Sequence, residues 1–190
     1  STGAIENLLR LKTDDSVAIG FTQGGIANEP ESDDLATLGS MYLEPVWVFY
    51  RGKAQFDRLD QLKGLKIAVG QPGSGAQLFA LQLLAANGVA TDDSRLVTLG
   101  GMTAVDALKR GDVDAFFVVG APQAPVVDAL LHTDGISLLN FAQADGYVRH
   151  FPHLLKITLP RGAIDIRSDQ PPRDIQLLAA TANLVVKADI

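Results

Sequence analysis

The stretch that decides the fold is Lys66-Ile67-Ala68-Val69-Gly70-Gln71-Pro72-Gly73-Ser74-Gly75-Ala76-Gln77. It opens with a short apolar run of the kind found in buried strands, and its glycines and proline then exclude regular structure. A helical pattern follows, with Ser74 as its predicted N-cap and Gly88 at its end. The stretch therefore predicts a strand, a tight loop and the start of a helix.

A loop of this kind is suited to binding an anion. The N–H groups of the first helical turn lack intrahelical acceptors, the helix dipole is positive there, and glycines allow close approach to the backbone. The pattern Gly70-x-x-Gly73-x-Gly75 matches neither the dinucleotide fingerprint nor the phosphate loop, because no lysine follows the last glycine. We therefore predict an anion site other than a nucleotide site, with the Ser74 hydroxyl as a further donor. The alternative is a turn that merely requires glycines.

The composition is that of a globular chain with a sizeable core. Of the 190 residues, 47% are hydrophobic and 20% are charged. The net charge is −6 and Lys and Arg do not cluster, which argues against a nucleic-acid partner. No apolar run has the length of a membrane span, and no signal-peptide pattern opens the sequence. The absence of cysteine excludes disulfides, a thiolate nucleophile and thiolate metal sites.

Helical and strand-like patterns alternate along most of the chain. The predicted helices cover 5–12, 78–85, 102–109, 123–131 and 141–150. The predicted strands cover 16–21, 67–69, 95–99, 114–119, 136–139, 155–159 and 175–187. The longest β-like tract, 35–51, contains Pro45 and predicts either two strands or one bent strand, with Trp47 and Phe49 in the core. Alternation of this kind implies a parallel sheet.

Three of the predicted strands end in turns of small or polar residues, after positions 21, 69 and 119. Ligands of open α/β sheets bind at the carboxyl ends of the strands, so these turns are the predicted walls of one cleft. Two segments, 7–20 and 106–117, share the same order of helix, strand and turn. This repetition supports two lobes that face one another.

Several motifs, in this order along nearly the whole chain, carry a resemblance to a known family. They are Ser1-Thr2-Gly3…Glu6-Asn7-Leu8, the strand that ends in Gln23, Leu62-Lys63-Gly64-Leu65-Lys66-Ile67-Ala68-Val69-Gly70…Gly73-Ser74-Gly75, and Leu108-Lys109-x-Gly111-Asp112-Val113-Asp114-Ala115. Together they resemble the TAXI-type solute receptors of TRAP transporters. The resemblance implies a type II periplasmic-binding-protein fold, with two α/β lobes that close on a small solute, and it implies no cofactor.

The resemblance also implies how the chain is divided. Residues 1–51 are expected to form part of lobe one and the first crossing strand, 52–140 lobe two, and 141–190 the return crossing and more of lobe one. Lobe two is expected to be a complete small αβ sandwich of parallel type, and lobe one to be incomplete, because family members carry further elements before Ser1. A dimer or swapped packing is a possible consequence.

The implied partners are a small solute, expected to be a carboxylate such as a dicarboxylate or an acidic amino acid, and the membrane permease subunits of a TRAP transporter. The implied location is the periplasm, and the Pro-rich region 159–174 resembles a subgroup whose full chains are membrane-anchored. No arginine clamp is expected. The predicted ligand-binding residues are Thr2, Gln23, Gly24, Tyr42, Glu44, Gly73, Ser74, Gly75, Ala76, Gly120, Ala121 and Pro122.

Two other functions are open alternatives. An α/β enzyme acting on a small anionic substrate is the weaker one, because no G-x-S-x-G or H-E-x-x-H motif accompanies the histidines. His150 and His153 have a metal-like spacing, but the intervening Pro152 and a nearby helix end favour surface positions. We predict no catalytic and no metal-binding residue. The effector domain of a LysR-type regulator shares the architecture, although this sequence encodes no DNA-binding arm.

Overall fold

The computed structural model describes residues 3–25, 34–89 and 95–188. The helices are α1 (Ala4–Thr13), α2 (Gly75–Ala86), α3 (Gly101–Arg110), α4 (Pro125–Leu131) and α5 (Ala144–His150), with a 3-10 turn at Leu59–Leu62. The strands are β1 (Ile19–Gln23), β2 (Leu35–Arg51), β3 (Ile67–Ala68), β4 (Leu96–Val97), β5 (Ala115–Val119), β6 (Ile136–Leu138), β7 (Leu154–Leu159) and β8 (Ile175–Lys187).

The strands form one mixed sheet in the order β1-β8-β2-β5-β3-β4, with β6 beside β2 and β7 beside β8. The predicted parallel pairing is present where β3 pairs with β4 and β5. All other described pairs are antiparallel. The sheet is mixed because β2 and β8, which are 17 and 13 residues long, pair antiparallel with all their neighbours. Among the described strands, only β3, β4 and β5 take part in parallel pairs.

Pro45 lies within the single strand β2, so the alternative of two strands is wrong, while a bend at this residue stays a prediction. The ladder with β8 continues through Pro45, and its irregularities lie earlier, between Thr37 and Gly39 and between Ser40 and Tyr42. The Pro45 carbonyl still accepts from the Gly120 N–H at 3.2 Å. Proline lacks the N–H that would complete this antiparallel pair, and the Gly120 carbonyl instead accepts from Trp47 Nε1 at 2.9 Å.

The core lies around the second half of β2. Residues 46–50 are at most 2% exposed and are flanked by β5 on one side and β6 on the other. Trp47 and Phe49 are thus confirmed as core residues, and they pack with aromatic side chains that include Phe79 of α2 and Phe116 of β5. Burial of this apolar cluster is the main stabilising contribution to the fold.

The first half of β2 is exposed. Leu38 and Met41 are 62% and 56% exposed, and Phe21 on the neighbouring β1–β8 ladder is 44% exposed. On the opposite side of β1, α1 packs closely, since a Cβ at Gly20 would lie 2.8 Å from a Leu11 methyl carbon. The division of the chain at 51/52 and 140/141 stays a prediction.

Two predicted elements begin later than expected. β1 starts at Ile19 rather than at Ser16, because Asp14 Oδ1 accepts from both the N–H and the hydroxyl of Ser16 and holds a turn there. α5 starts at Ala144 rather than at Phe141, because the Phe141 N–H donates to Gln176 O of β8 at 2.9 Å. In both places a specific polar contact overrides the local helix or strand pattern.

The fold predicts a sharp contrast between two leucines. Leu84→Ala removes a fully buried side chain from α2 and should lower the free energy of unfolding by about 2–5 kcal/mol. Leu38→Ala removes a largely exposed side chain and should change it by less than about 0.5 kcal/mol. Urea unfolding of the two variants measures both values. Similar losses would contradict the exposed position of Leu38.

Candidate functional site

A cavity of about 440 Å³ lies at the carboxyl end of β1. Its walls come from the starts of α1 and α2, from β1, from the middle of β2 and β8, and from the end of β5. The lining residues are Gly3, Asn7, Phe21, Thr22, Gln23, Tyr42, Glu44, Ser74, Gly75, Ala76, Val119 and Ala182. The structure therefore brings together the predicted residues Gln23, Tyr42, Glu44, Ser74, Gly75 and Ala76.

The start of α2 forms one wall of the cavity. Ser74 is the N-cap, as predicted, and its Oγ accepts from the Gln77 N–H at 3.2 Å. The same hydroxyl donates to Gln71 O at 2.7 Å, so it would have to rotate away from this acceptor to bind an anion, and its role as a further donor stays a prediction. In the described part of the chain, the N–H groups of Gly75 and Ala76 have no acceptor and line the cavity.

The start of α1 reaches the same cavity. Gly3, with φ of 97°, is its N-cap, and no side chain caps this helix. A Cβ at Gly3 would lie 3.3 Å from Gly73 O and 4.0 Å from Ser74 Cα, so the two helix starts are in contact. Asn7 Nδ2 donates to Phe21 O at 3.2 Å and fixes α1 to β1. The positive ends of two helix dipoles therefore meet at one cavity. The predicted ligand-binding residue Thr2 already implied the α1 start at the site, but its contact with the α2 start was not predicted.

Gln23 connects the end of β1 to both β2 and α2. Its Nε2 donates to Glu44 Oε2 at 2.5 Å. Its Oε1 is buried and has no hydrogen-bond partner among the described residues. A Cβ at Gly75 would lie 1.4 Å from that oxygen, so the carboxamide packs directly on the Gly75 backbone. Glycine at 75 is therefore what allows Gln23 to adopt this position.

A second polar group of the cavity is also unsatisfied. Thr22 is only 2% exposed, and its Oγ1 is buried without a partner in the ranges that the structure describes. Buried hydroxyl groups normally make hydrogen bonds, and leaving one unpaired is unfavourable. Tyr42, by contrast, is 52% exposed, and its ring lies 6.0 Å from that of Phe21 at the rim. The interior of the cavity thus has polar groups with unused hydrogen-bonding capacity.

The other predicted site residues lie outside the lining. The Gly24 N–H donates to Thr181 O at 2.8 Å, and the Gly73 N–H donates to Gln77 Oε1 at 2.9 Å. Ala121 and Pro122 are exposed, and Gly120 makes the contacts with Pro45 and Trp47 described above. It is Val119, just before them, that lines the cavity. Thr2 lies outside the described residues.

His153 borders the turn that follows Gln23. Its ring stacks on Phe79 of α2, with centroids 5.9 Å apart, and a Cβ at Gly25 would lie 2.5 Å from it. Its Nε2 is buried and, within the described segments, unpartnered. Burial lowers the pKa of His153 below its usual value. His153 is therefore half-buried and not a freely exposed surface histidine, because the Phe79 ring packs on it, a contact that no local sequence pattern indicates.

The described residues contain no group of three or more His, Asp or Glu side chains placed to hold a metal ion. None of the helices in residues 3–25, 34–89 and 95–188 combines the length and the apolar character that a membrane span needs.

The mixed sheet, the long strands β2 and β8 and the cavity at the strand ends define a type II periplasmic-binding-protein fold. The chain belongs to the NMT1-like family, whose model matches residues 1–190. The structure is similar to that of the periplasmic aliphatic sulphonate binding protein SsuA from Escherichia coli. That match has a TM-score of 0.55 and 19% identity, and it covers 95% of this chain and 52% of the other.

Two further solved structures show the same likeness. An ancestral arginine-binding protein bound to arginine gives a TM-score of 0.56 and 12% identity, covering 97% of this chain and 64% of that one. An OxyR C206S mutant from Corynebacterium glutamicum, H2O2-bound, gives a TM-score of 0.58 and 12% identity, covering 97% and 47%. At these identities the likeness shows the fold. The chain spans about half the length of the SsuA and OxyR structures.

The α2 cap predicts a stability difference between two substitutions at one position. Ser74→Ala should lower the free energy of unfolding by about 1 kcal/mol, because the Gln77 N–H loses its acceptor. Ser74→Asn, which retains a capping oxygen, should lose much less. Urea unfolding of both variants provides the measurement, and equal losses would contradict a capping role for the side chain.

His153 predicts a pH dependence of stability. Its folded-state pKa lies below the unfolded value of about 6.5. Between these values the unfolded chain binds more protons, so the contribution is fully present above about pH 6.5 and is lost as the pH falls towards the folded pKa. The melting temperature should therefore decrease as the pH falls through this range. His153→Phe, which keeps an aromatic ring but has no titrating group, should show a smaller decrease.

Leu38→Phe, at an exposed position without an ionisable group, offers a control, since it should leave the pH dependence unchanged. The pKa values of Asp14, Asp165 and Asp169 are lowered by hydrogen bonds, so these carboxyls act below about pH 4, outside the histidine window. An unaltered pH profile for His153→Phe would show that His153 is not the titrating group.

Proposed function

We propose that this chain is the binding part of a periplasmic solute receptor and that it holds the anionic group of a small organic solute between the starts of α1 and α2. The observation that carries the proposal is the contact of two helix starts at one cavity. Each contributes first-turn N–H groups and the positive end of a dipole, an arrangement that stabilises an anion. The unpartnered Thr22 hydroxyl is a second group able to bind a ligand.

The solved relatives support this chemistry. One of them is an aliphatic sulphonate binding protein and another is an arginine-binding protein bound to arginine, and each of these solutes carries an anionic group. The carboxylate is our choice of anion, with a dicarboxylate or an acidic amino acid as the expected solute. Affinity then comes from contacts that both lobes make only when they are closed on the solute.

The proposal also includes a particular transport system. The order of motifs resembles TAXI-type receptors, so the proposed partners are the membrane permease subunits of a TRAP transporter. The proposed location is the periplasm, with anchoring of the full-length chain. Within the predicted division at 51/52 and 140/141, α1 belongs to lobe one and α2 to lobe two, and β2 and β8 are the crossing strands. The two helix starts are already in contact in this structure, so opening of the lobes would separate them and admit the solute, and closure would restore the contact around it.

A ligand-sensing effector domain is the second candidate, favoured by the likeness to OxyR. The two functions differ in what solute binding does. A transport receptor delivers its solute to permease subunits reconstituted in vesicles, whereas an effector domain leaves transport unchanged. Solute uptake that depends on this chain would therefore exclude the second candidate.

Two substitutions at Gly75 test the anion site. Proline is tolerated at the first helical position, and Ser74, with ψ of 151°, already has the extended conformation that precedes a proline. Gly75→Pro and Gly75→Ala both add a Cβ that displaces Gln23, but only proline removes the N–H. We expect isothermal titration with acetate, L-glutamate and methanesulfonate to show about tenfold weaker binding for Gly75→Pro than for Gly75→Ala.

The control is Gly146→Ala, because nothing lies within 4 Å of a Cβ at this exposed position of α5. It should bind like the unsubstituted chain. Equal affinities of the two Gly75 variants would exclude the N–H as an anion donor. Failure of the unsubstituted chain to bind any of the three probes would overturn the proposed function.

A further inference from the structure

We propose that the cavity selects a zwitterion, with an ammonium group directed to Glu44 beside an anionic group at the α2 start, and that the Gln23 carboxamide occupies this position when no solute is bound. The inference rests on the proposed function and narrows its solute class. It makes Glu44 a specificity-determining residue and Gln23 an internal competitor of the solute. Three observations carry it.

The first observation is the distribution of charge around the cavity. Glu44 is the one ionisable acid or base that lines it among the described residues, apart from the phenol of Tyr42. Neither lysine nor arginine belongs to that described lining. The cavity thus has a negative side chain on β2 and a positive helix start on α2. A solute that complements both has a cation and an anion.

The second observation is the polarity of the Gln23 carboxamide. An ionised carboxylate is an acceptor only, so the Gln23 amide nitrogen must be the group that meets Glu44. The amide oxygen then necessarily faces Gly75 at the start of α2. The side chain therefore presents a donor to Glu44 and an acceptor to the helix start. The neighbouring ammonium and carboxylate of an α-amino acid have the same order.

The third observation is that the Gln23 carboxamide leaves hydrogen-bonding groups at this position unpaired. Its oxygen has no partner in the described ranges, although the free N–H groups of Gly75 and Ala76 line the same cavity. A carboxylate has two oxygens and makes stronger, charge-assisted hydrogen bonds with backbone N–H groups. A zwitterion would therefore satisfy groups that Gln23 leaves unpaired, and a rotation of the flexible glutamine side chain is enough to admit it.

The same charges disfavour a dicarboxylate. If one carboxylate of the solute lay at the α2 start, its second carboxylate would lie near the carboxylate of Glu44, with no cation between these two groups. Like charges at short range in a partly buried site are repulsive. Among the solutes expected from the sequence, the amino acid is therefore retained and the dicarboxylate is not.

The test compares solutes that differ only in the ammonium group. The probes are L-glutamate with (S)-2-hydroxyglutarate, and L-alanine with L-lactate, each titrated calorimetrically into the 190-residue chain near neutral pH. We expect at least one amino acid to bind about tenfold or more tightly than its hydroxy acid. Glu44→Gln, which preserves shape, should bring this ratio close to one.

A second pair of variants tests the role of Gln23. Gln23→Ala and Gln23→Ser remove the competing carboxamide, so both should bind the amino acid more tightly while keeping the preference over the hydroxy acid. Weaker binding by both would show that Gln23 contributes to solute binding instead of competing with it. Asp106→Asn and Gln55→Ala, at exposed positions away from the cavity, are controls that should leave all affinities unchanged.

The outcomes separate this inference from the proposed function. If hydroxy acids bind as tightly as amino acids, or if Glu44→Gln leaves the ratio unchanged, the zwitterion is excluded while the anion site stands. If none of the four probes binds to the unsubstituted chain or to the Gln23 variants, the anion site fails and the inference fails with it.

Discussion

The antiparallel pairing of β2 with β8 is the constraint on which the rest of the structure depends. It runs from Leu35 opposite Lys187 to Val46 opposite Leu178 and joins the outer strand β1 to the inner group β5-β3-β4. Because both strands are continuous, the end of β1 and the start of α2 are held at fixed positions relative to one sheet. The meeting of Gln23 with Gly75, which are far apart in sequence, follows from this arrangement.

Much of the fold could be predicted because its determinants are local. The N-cap at Ser74 and the bounds of β8 follow from residue types within a few positions of each feature. The continuity of β2 could not be predicted in this way. The Pro45 carbonyl accepts from the Gly120 N–H, and the Gly120 carbonyl, for which Pro45 has no N–H, accepts from the Trp47 indole. Because these contacts depend on Gly120, which is distant in sequence, local rules left one strand and two strands as alternatives.

The candidate site likewise has features that the local sequence predicts and features that arise only from tertiary packing. The helix start at Ser74–Ala76 and the polar residue Gln23 were predictable from composition and turn chemistry. The α1 start was expected at the site through Thr2, but its contact with the α2 start was not predictable, since the packed sheet brings Gly3 and Gly73 together. The cavity also retains two buried polar atoms, Thr22 Oγ1 and Gln23 Oε1, without partners in the described part of the chain. Exceptions to full hydrogen bonding of this kind are concentrated at functional sites in proteins.

The bond between Trp47 and Gly120 gives the protein an intrinsic optical reporter. The chain contains a single tryptophan, and its indole is 1% exposed and donates to the carbonyl of the residue that follows Val119 in the cavity wall. All tryptophan emission therefore originates from one environment, at the junction between β2 and β5. A movement of that junction alters the polarity and hydrogen bonding of one indole, so its fluorescence spectrum records the state of the crossing strands without any attached label.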